Sequence, residues 1–170
     1  MKSGLNRPLT RGGMIAALYI ILTVSLGQLA FGVALGPVLV QFRPAEALAP
    51  LPILFPEAVP ALFLGALIAN SISQFGWVDV VFGSLLTLAA AYVTRKTRGH
   101  LMAWLSPVLF NAIGVSFYAA YFIANQWGTG TYWLAYFQQV LSIGLSEALV
   151  VFGLGLPFIA FLRKNILGEY

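Results

Sequence analysis

Between Gly13 and Leu162 the only charged residues are Arg43, Glu46, Glu57, Asp79, Arg95, Lys96, Arg98 and Glu147. Long apolar runs separate them, and a chain so patterned has few places to meet water. A typical soluble domain is roughly 25% charged; this one, of 170 residues, is 8% charged and 60% hydrophobic. A small soluble fold exposes too much surface for that supply of charge. The solvent of this chain is therefore lipid. A soluble enzyme, a disordered tail and a nucleic-acid-binding module are excluded, the cations being too few and scattered to track phosphates.

The cations instead form short clusters between apolar runs: Lys2, Arg7 and Arg11; Arg95, Lys96 and Arg98; Arg163 and Lys164. That is the pattern of a positive-inside bias. With no cysteine and one histidine, His100, the chain lacks thiolate sites, His-pair zinc motifs and a cysteine nucleophile. Asp79 is the only aspartate, and no Walker A loop occurs. No cofactor or metal is expected, and no enzyme.

About 20 apolar residues cross a bilayer as helix. Gly13–Leu29 supplies the first segment; with Ala30-Phe31-Gly32 it resembles a signal peptide, but it exceeds the usual apolar core of about 7–15 residues. It is expected to be retained. A Gly-containing stretch from Phe31 to Arg43 follows, then Pro44–Phe55, short and broken by Pro50 and Pro52. Ala58–Ser73, Trp77–Thr94, His100–Ala124 and Thr131–Leu162 complete the set. If Pro44–Phe55 crosses, all three cationic clusters lie in the cytoplasm; if it does not, the Arg95–Arg98 loop lies opposite the others. Charge therefore predicts an all-α, multi-pass membrane protein of six transmembrane helices, N-in and C-in, in one domain over residues 1–170. Trp77, Trp127, Tyr132, Trp133 and Tyr136 are expected in an outer aromatic belt, with Trp104 at the inner surface.

On this map Arg43, Glu46, Asn70, Asp79 and Glu147 share a level near the outer surface, Glu147 by counting about 20 residues back from Arg163. At roughly 100° per residue, Asn111, Gly114, Tyr118 and Tyr121 share one helix face. Asp79, Gly83, Thr87, Ala90 and Thr94 form another, and Gln139, Ser142, Ser146 and Glu147 a third. Ionisable groups in a membrane face the bundle interior or a wet cavity, so their convergence predicts a polar pocket open to the outside. Plainer readings stand beside this one. Asp79 and Glu57 can cap helices, Asn70 and Asn111 can join helices, and Arg43 can pair with Glu46. Glu147, inside an apolar helix with no nearby cation in sequence, has the clearest functional character.

Small residues recur every four positions at Gly12/Ala16 and Gly13/Ala17, and at Ala61, Gly65, Ala69 and Ser73. Such spacing lets helices approach closely. The second set suits packing inside the monomer; the first, away from the presumed pocket, suits a docking surface.

Several of these residues fall into a known pattern. Gln41-Phe42-Arg43 with Glu46, then Leu64-Gly65-Ala66-Leu67-Ile68-Ala69-Asn70, then Asp79-Val80-Val81-Phe82-Gly83, resemble the QueT family, as does the opening Ala16-Ala17-Leu18-Tyr19. Pro44-Ala45 departs from the Ile-Ser of many members. The resemblance implies an S-component, the substrate-binding subunit of an energy-coupling factor transporter in the bacterial cell membrane. It implies a queuosine precursor as substrate, and docking on a transmembrane coupling subunit that carries two cytoplasmic ATPases. Gly13 and Ala17 occupy the place of the family's Ala-x-x-x-Ala docking motif.

A 7-deazaguanine base offers N1–H and N2–H donors to a carboxylate and its O6 to a donor. Glu147 suits the first edge, Asn70 or Asn111 the second, and Tyr118 or Tyr121 can stack; Arg43 and Gln139 are counted among the substrate-binding residues. Asp79 or Glu46 would suit an aminomethyl cation on C7. The same polarity would serve thiamine or a folate, and Glu147 with Asp79 could relay protons in a secondary transporter.

Overall fold

The computed structural model describes residues 3–31, 33–35 and 38–168. Lys2, Gly32, Glu169 and the middle of the Phe31–Arg43 stretch lie outside them. Helix α1 (Ser3–Phe31) is followed by strands β1 (Val33–Leu35) and β2 (Val38–Val40), paired antiparallel with Val33 opposite Val40. This small hairpin is the exception to the expected all-helical chain, and its valines suit a pleated pair.

The second segment is not an α-helix. It consists of two 3₁₀ turns, Pro44–Leu48 and Leu51–Ile53. Pro44, Pro50, Pro52 and Pro56 each lack an amide donor and crowd the preceding turn, so an α-helical ladder cannot run through them. The segment nonetheless travels. The Ser146 hydroxyl donates to the Gln41 carbonyl at one end. At the other, Arg95 Nη1 donates to the carbonyls of Pro52 and Ile53 at 3.1 and 3.2 Å.

Helix α2 (Ala58–Ala69) precedes a continuous helical rod over residues 77–96, whose first part is a π turn, Asp79–Gly83, and whose remainder is α3 (Ser84–Lys96). Helices α4 (Met102–Phe110) and α5 (Ser116–Ala124) form one rod joined by the π turn Asn111–Val115. Helix α6 (Gly130–Val150), capped by the Thr129 side chain, passes through the π turn Val151–Gly155 into α7 (Leu156–Leu162). Among the described residues, three spans are long and apolar enough to cross a membrane by length and composition: Arg7–Leu26, Met102–Ala124 and Gly130–Ile166.

Lipid is as apolar as leucine, so close packing and hydrogen bonds, more than hydrophobic burial, hold such helices together. Helices α1 and α2 meet at Gly65, where a Cβ would lie 3.0 Å from Tyr19 Cβ and 3.2 Å from the Ala16 carbonyl oxygen. Ala61, Gly65 and Ala69 are buried in this contact, which places the α2 stripe inside the monomer. Helices α3 and α4 are tied by Thr94 and Ser106, whose hydroxyls lie 2.7 Å apart, and by Ser106 to the Ala90 carbonyl at 3.3 Å. Bonds of this kind in a membrane contribute roughly 0.6–2 kcal/mol each. Leu145 and Leu149 are 67% and 70% exposed, in keeping with a lipid-facing surface.

The Arg11 and Arg95 side chains meet the same short segment of chain. Arg11 lies 4.2 Å over the Phe55 ring and pairs with Glu57 at 2.8 Å. Glu57 is at the start of α2 but makes no side-chain cap; the ion pair takes its place. Trp77, Trp127 and Trp133 are exposed, whereas Tyr132, expected in the same belt, is 1% exposed. Its hydroxyl donates to the Phe117 carbonyl at 3.1 Å, fastening α6 to α5. Trp104 stacks on Phe152 with ring centroids 6.4 Å apart.

Candidate functional site

Asp79 opens a π turn, and wider turns of this type often occur at functional sites. Its carboxylate is fully buried. Oδ1 accepts from the Tyr118 hydroxyl at 2.5 Å, and Oδ2 lies 3.5 Å from Arg43 Nη2. Asn70 Nδ2 donates to the Asp79 carbonyl at 3.1 Å and to Ser84 Oγ at 3.3 Å. Asp79 therefore joins α5, the 3₁₀ segment and the end of α2, rather than capping its own helix. Arg43, expected beside Glu46, pairs with Asp79.

Gly83 makes this arrangement possible. A Cβ there would overlap Asp79 Oδ1 and lie 3.1 Å from Asn70 Nδ2 and 3.2 Å from the Tyr118 hydroxyl. Overpacking of this kind costs about 1–3 kcal/mol. Gly83→Ala is expected to lower the thermal midpoint of detergent-solubilised protein by several degrees. An unchanged midpoint would mean that the three side chains yield without cost.

A second group lies beside the first. Tyr19, on α1, donates to Glu46 Oε1 at 2.6 Å, and Asn111 Nδ2 donates to Glu147 Oε1 at 2.6 Å. Arg43 is within electrostatic reach of Asp79 and Glu46, as is Glu147 of Glu46 and Arg43. Gln139 is fully buried on the same side of α6 as Glu147. Three carboxylates thus face one guanidinium out of water, where unbalanced charge is costly. Among the described residues, no group of three His, Cys, Asp or Glu could hold a metal ion.

The structure brings together Arg43, Glu46, Asn70, Asp79, Asn111, Tyr118 and Glu147 as a buried cluster rather than an open pocket. Glu46 is 1% exposed, Asn70 2% and Glu147 3%. Glu147 lies 17 residues after Gly130, about 25 Å along the helix. The helical rod continues past Arg163 to Leu167. Asn111 faces α6 and Tyr118 faces the 77–96 rod. The π turn between them adds a residue to the turn and removes the common face that a uniform α-helix would give.

Tyr121 is set apart. Its ring stacks on Trp127 with centroids 4.5 Å apart, in a cleft of about 660 Å³ between the 77–86 part of one rod and residues 113–122 of the next. Tyr118 lines this cleft and also reaches Asp79, so one ring separates an aromatic cleft from the buried charges. Gly13 and Ala17 lie on an exposed face of α1, with open space around Gly13. Tyr19 and Ser84 also belong to the polar cluster, and no sequence pattern placed them there. A tyrosine roughly 12 Å along α1 from Arg11 was the available signal, because a buried phenol needs a partner.

A family model described as QueT transporter matches residues 9–164. No curated protein and no solved structure gives a significant match.

Proposed function

The chain belongs to the QueT transporter family, and from that premise we propose that it is the substrate-binding subunit of an energy-coupling factor importer for a 7-deazaguanine queuosine precursor. Membership makes it a membrane transporter protein, not an enzyme. In this reading residues 1–170 form one multi-pass domain in the bacterial cell membrane, with six crossings and both termini in the cytoplasm. Arg11 and Arg95, both held against the Pro52–Glu57 segment, support that orientation. The exposed Gly13 and Ala17 would dock a transmembrane coupling subunit, and that subunit's two ATPases would supply the energy.

The observation that carries the reading is the buried, mixed cluster of donors and acceptors with its surplus of carboxylates. A base with an amide edge and an aminomethyl cation would offset that surplus. Asp79 already faces Arg43 and Tyr118, so Glu46 is the better partner for the ammonium. Glu147 would accept from N1–H and N2–H. Asn111 would donate its second amide hydrogen to O6, since Asn70 spends its amide on Asp79 and Ser84. Arg43 and Gln139 would complete the polar wall, with Tyr118 against the ring and Tyr121 at the cleft.

The test is a thermal-shift series on detergent-purified protein with 7-deazaguanines, guanine and thiamine. A specific ligand at 100 times its Kd should stabilise by about 2.7 kcal/mol. Stabilisation by an aminomethyl deazaguanine above guanine is expected. Response to thiamine and to no deazapurine would overturn the substrate.

A further inference from the structure

Thr23 sits on α1 one turn beyond Tyr19, on the helix face that packs against the Pro44–Leu48 turn. It is 3% exposed, and its hydroxyl has no hydrogen-bond partner. Threonine within a helix ordinarily returns its hydroxyl to a carbonyl of the preceding turn; here that bond is absent. A buried hydroxyl left in this condition is costly, and valine would fill the same space without the cost. Its placement offers a reason. Tyr19, four residues earlier on the same face, donates to Glu46, and Thr23 lies about 6 Å farther along the axis, away from Arg11. Thr23 thus shares the face of α1 from which Tyr19 reaches the Glu46 carboxylate.

We propose that Thr23 is a substrate-contact residue: its hydroxyl accepts a hydrogen bond from the ammonium group that Glu46 neutralises, and so favours an aminomethyl base over a neutral one. The proposal rests on the deazaguanine reading above. An ammonium has three donors, which a single carboxylate oxygen cannot satisfy. Glu46 Oε1 already accepts from Tyr19, so further acceptors are needed around the cation. A neutral substituent at the same ring position makes no such demand.

The test compares wild type, Thr23→Val and Thr23→Ser by calorimetry with two probes, 7-aminomethyl- and 7-cyano-7-deazaguanine, and measures the unfolding midpoint without ligand. Thr23→Val is expected to bind the aminomethyl base about tenfold or more weakly and the cyano base within about threefold of wild type. Its ligand-free midpoint should equal or exceed that of wild type, because the unmatched hydroxyl is gone. Thr23→Ser, which keeps the hydroxyl, should stay near wild-type affinity. Unchanged aminomethyl affinity in Thr23→Val, or equal loss for both bases, would overturn the proposal while leaving the substrate reading intact. Wild type binding neither base would overturn the reading and the proposal with it. If Thr23→Val fails to fold, Thr23→Ala carries the same affinity comparison.

Discussion

Arg43→Met is expected to destabilise the protein by about 3–5 kcal/mol, the usual cost of removing one partner from a buried ion pair. The methylene stem is replaced by one of similar length, so packing changes little and the loss is electrostatic. Asp79 would remain fully buried, with Tyr118 still donating to it and Glu46 and Glu147 nearby. Urea or thermal unfolding in mild detergent reads the effect. Adding Asp79→Asn to Arg43→Met should recover a substantial part of it, because an amide needs no counter-charge. If the double variant were no more stable than the single one, the pair would not be the electrostatic centre of this cluster.

Glu147→Ala is expected to reduce affinity for the aminomethyl base at least a hundredfold, with a smaller effect on stability. Two hydrogen bonds to a charged acceptor would be lost, each contributing roughly 1.5–3 kcal/mol. The ligand-free protein loses one bond, from Asn111. Glu147→Gln refines the result: its carbonyl can still accept, but its amide opposes one donor of the base edge. Calorimetry on the two variants should therefore rank wild type above glutamine and glutamine at or above alanine. Wild-type binding by Glu147→Ala would remove Glu147 from the site.

Much of this arrangement was legible because lipid makes polar residues conspicuous. Asn70, Asp79, Asn111 and Glu147 stand out in apolar helices, and the structure gives each a buried partner. The stripe Asp79, Gly83, Thr87, Ala90 and Thr94 is likewise buried along its whole length, as a repeat of about four residues requires. What could not be read were departures from the regular helix. The π turns at Asp79–Gly83 and Asn111–Val115 change which neighbours a side chain meets, and no local residue type announces them. Tyr121 was put beside Asn111 for that reason. Pairings across long sequence separations were also hidden: Tyr19 with Glu46 and Arg43 with Asp79 follow from how helices cross. Gly65 shows the same limit, since a four-residue repeat signals close approach without naming the partner helix.

The rods over residues 77–96 and 102–124 are bound to each other near one end, at Thr94 and Ser106, and hold the aromatic cleft between their other halves. The Tyr118–Asp79 hydrogen bond joins the same two rods within the cleft half. The pair is therefore braced at both ends, and the cleft is a window in a closed frame rather than a gap between free arms.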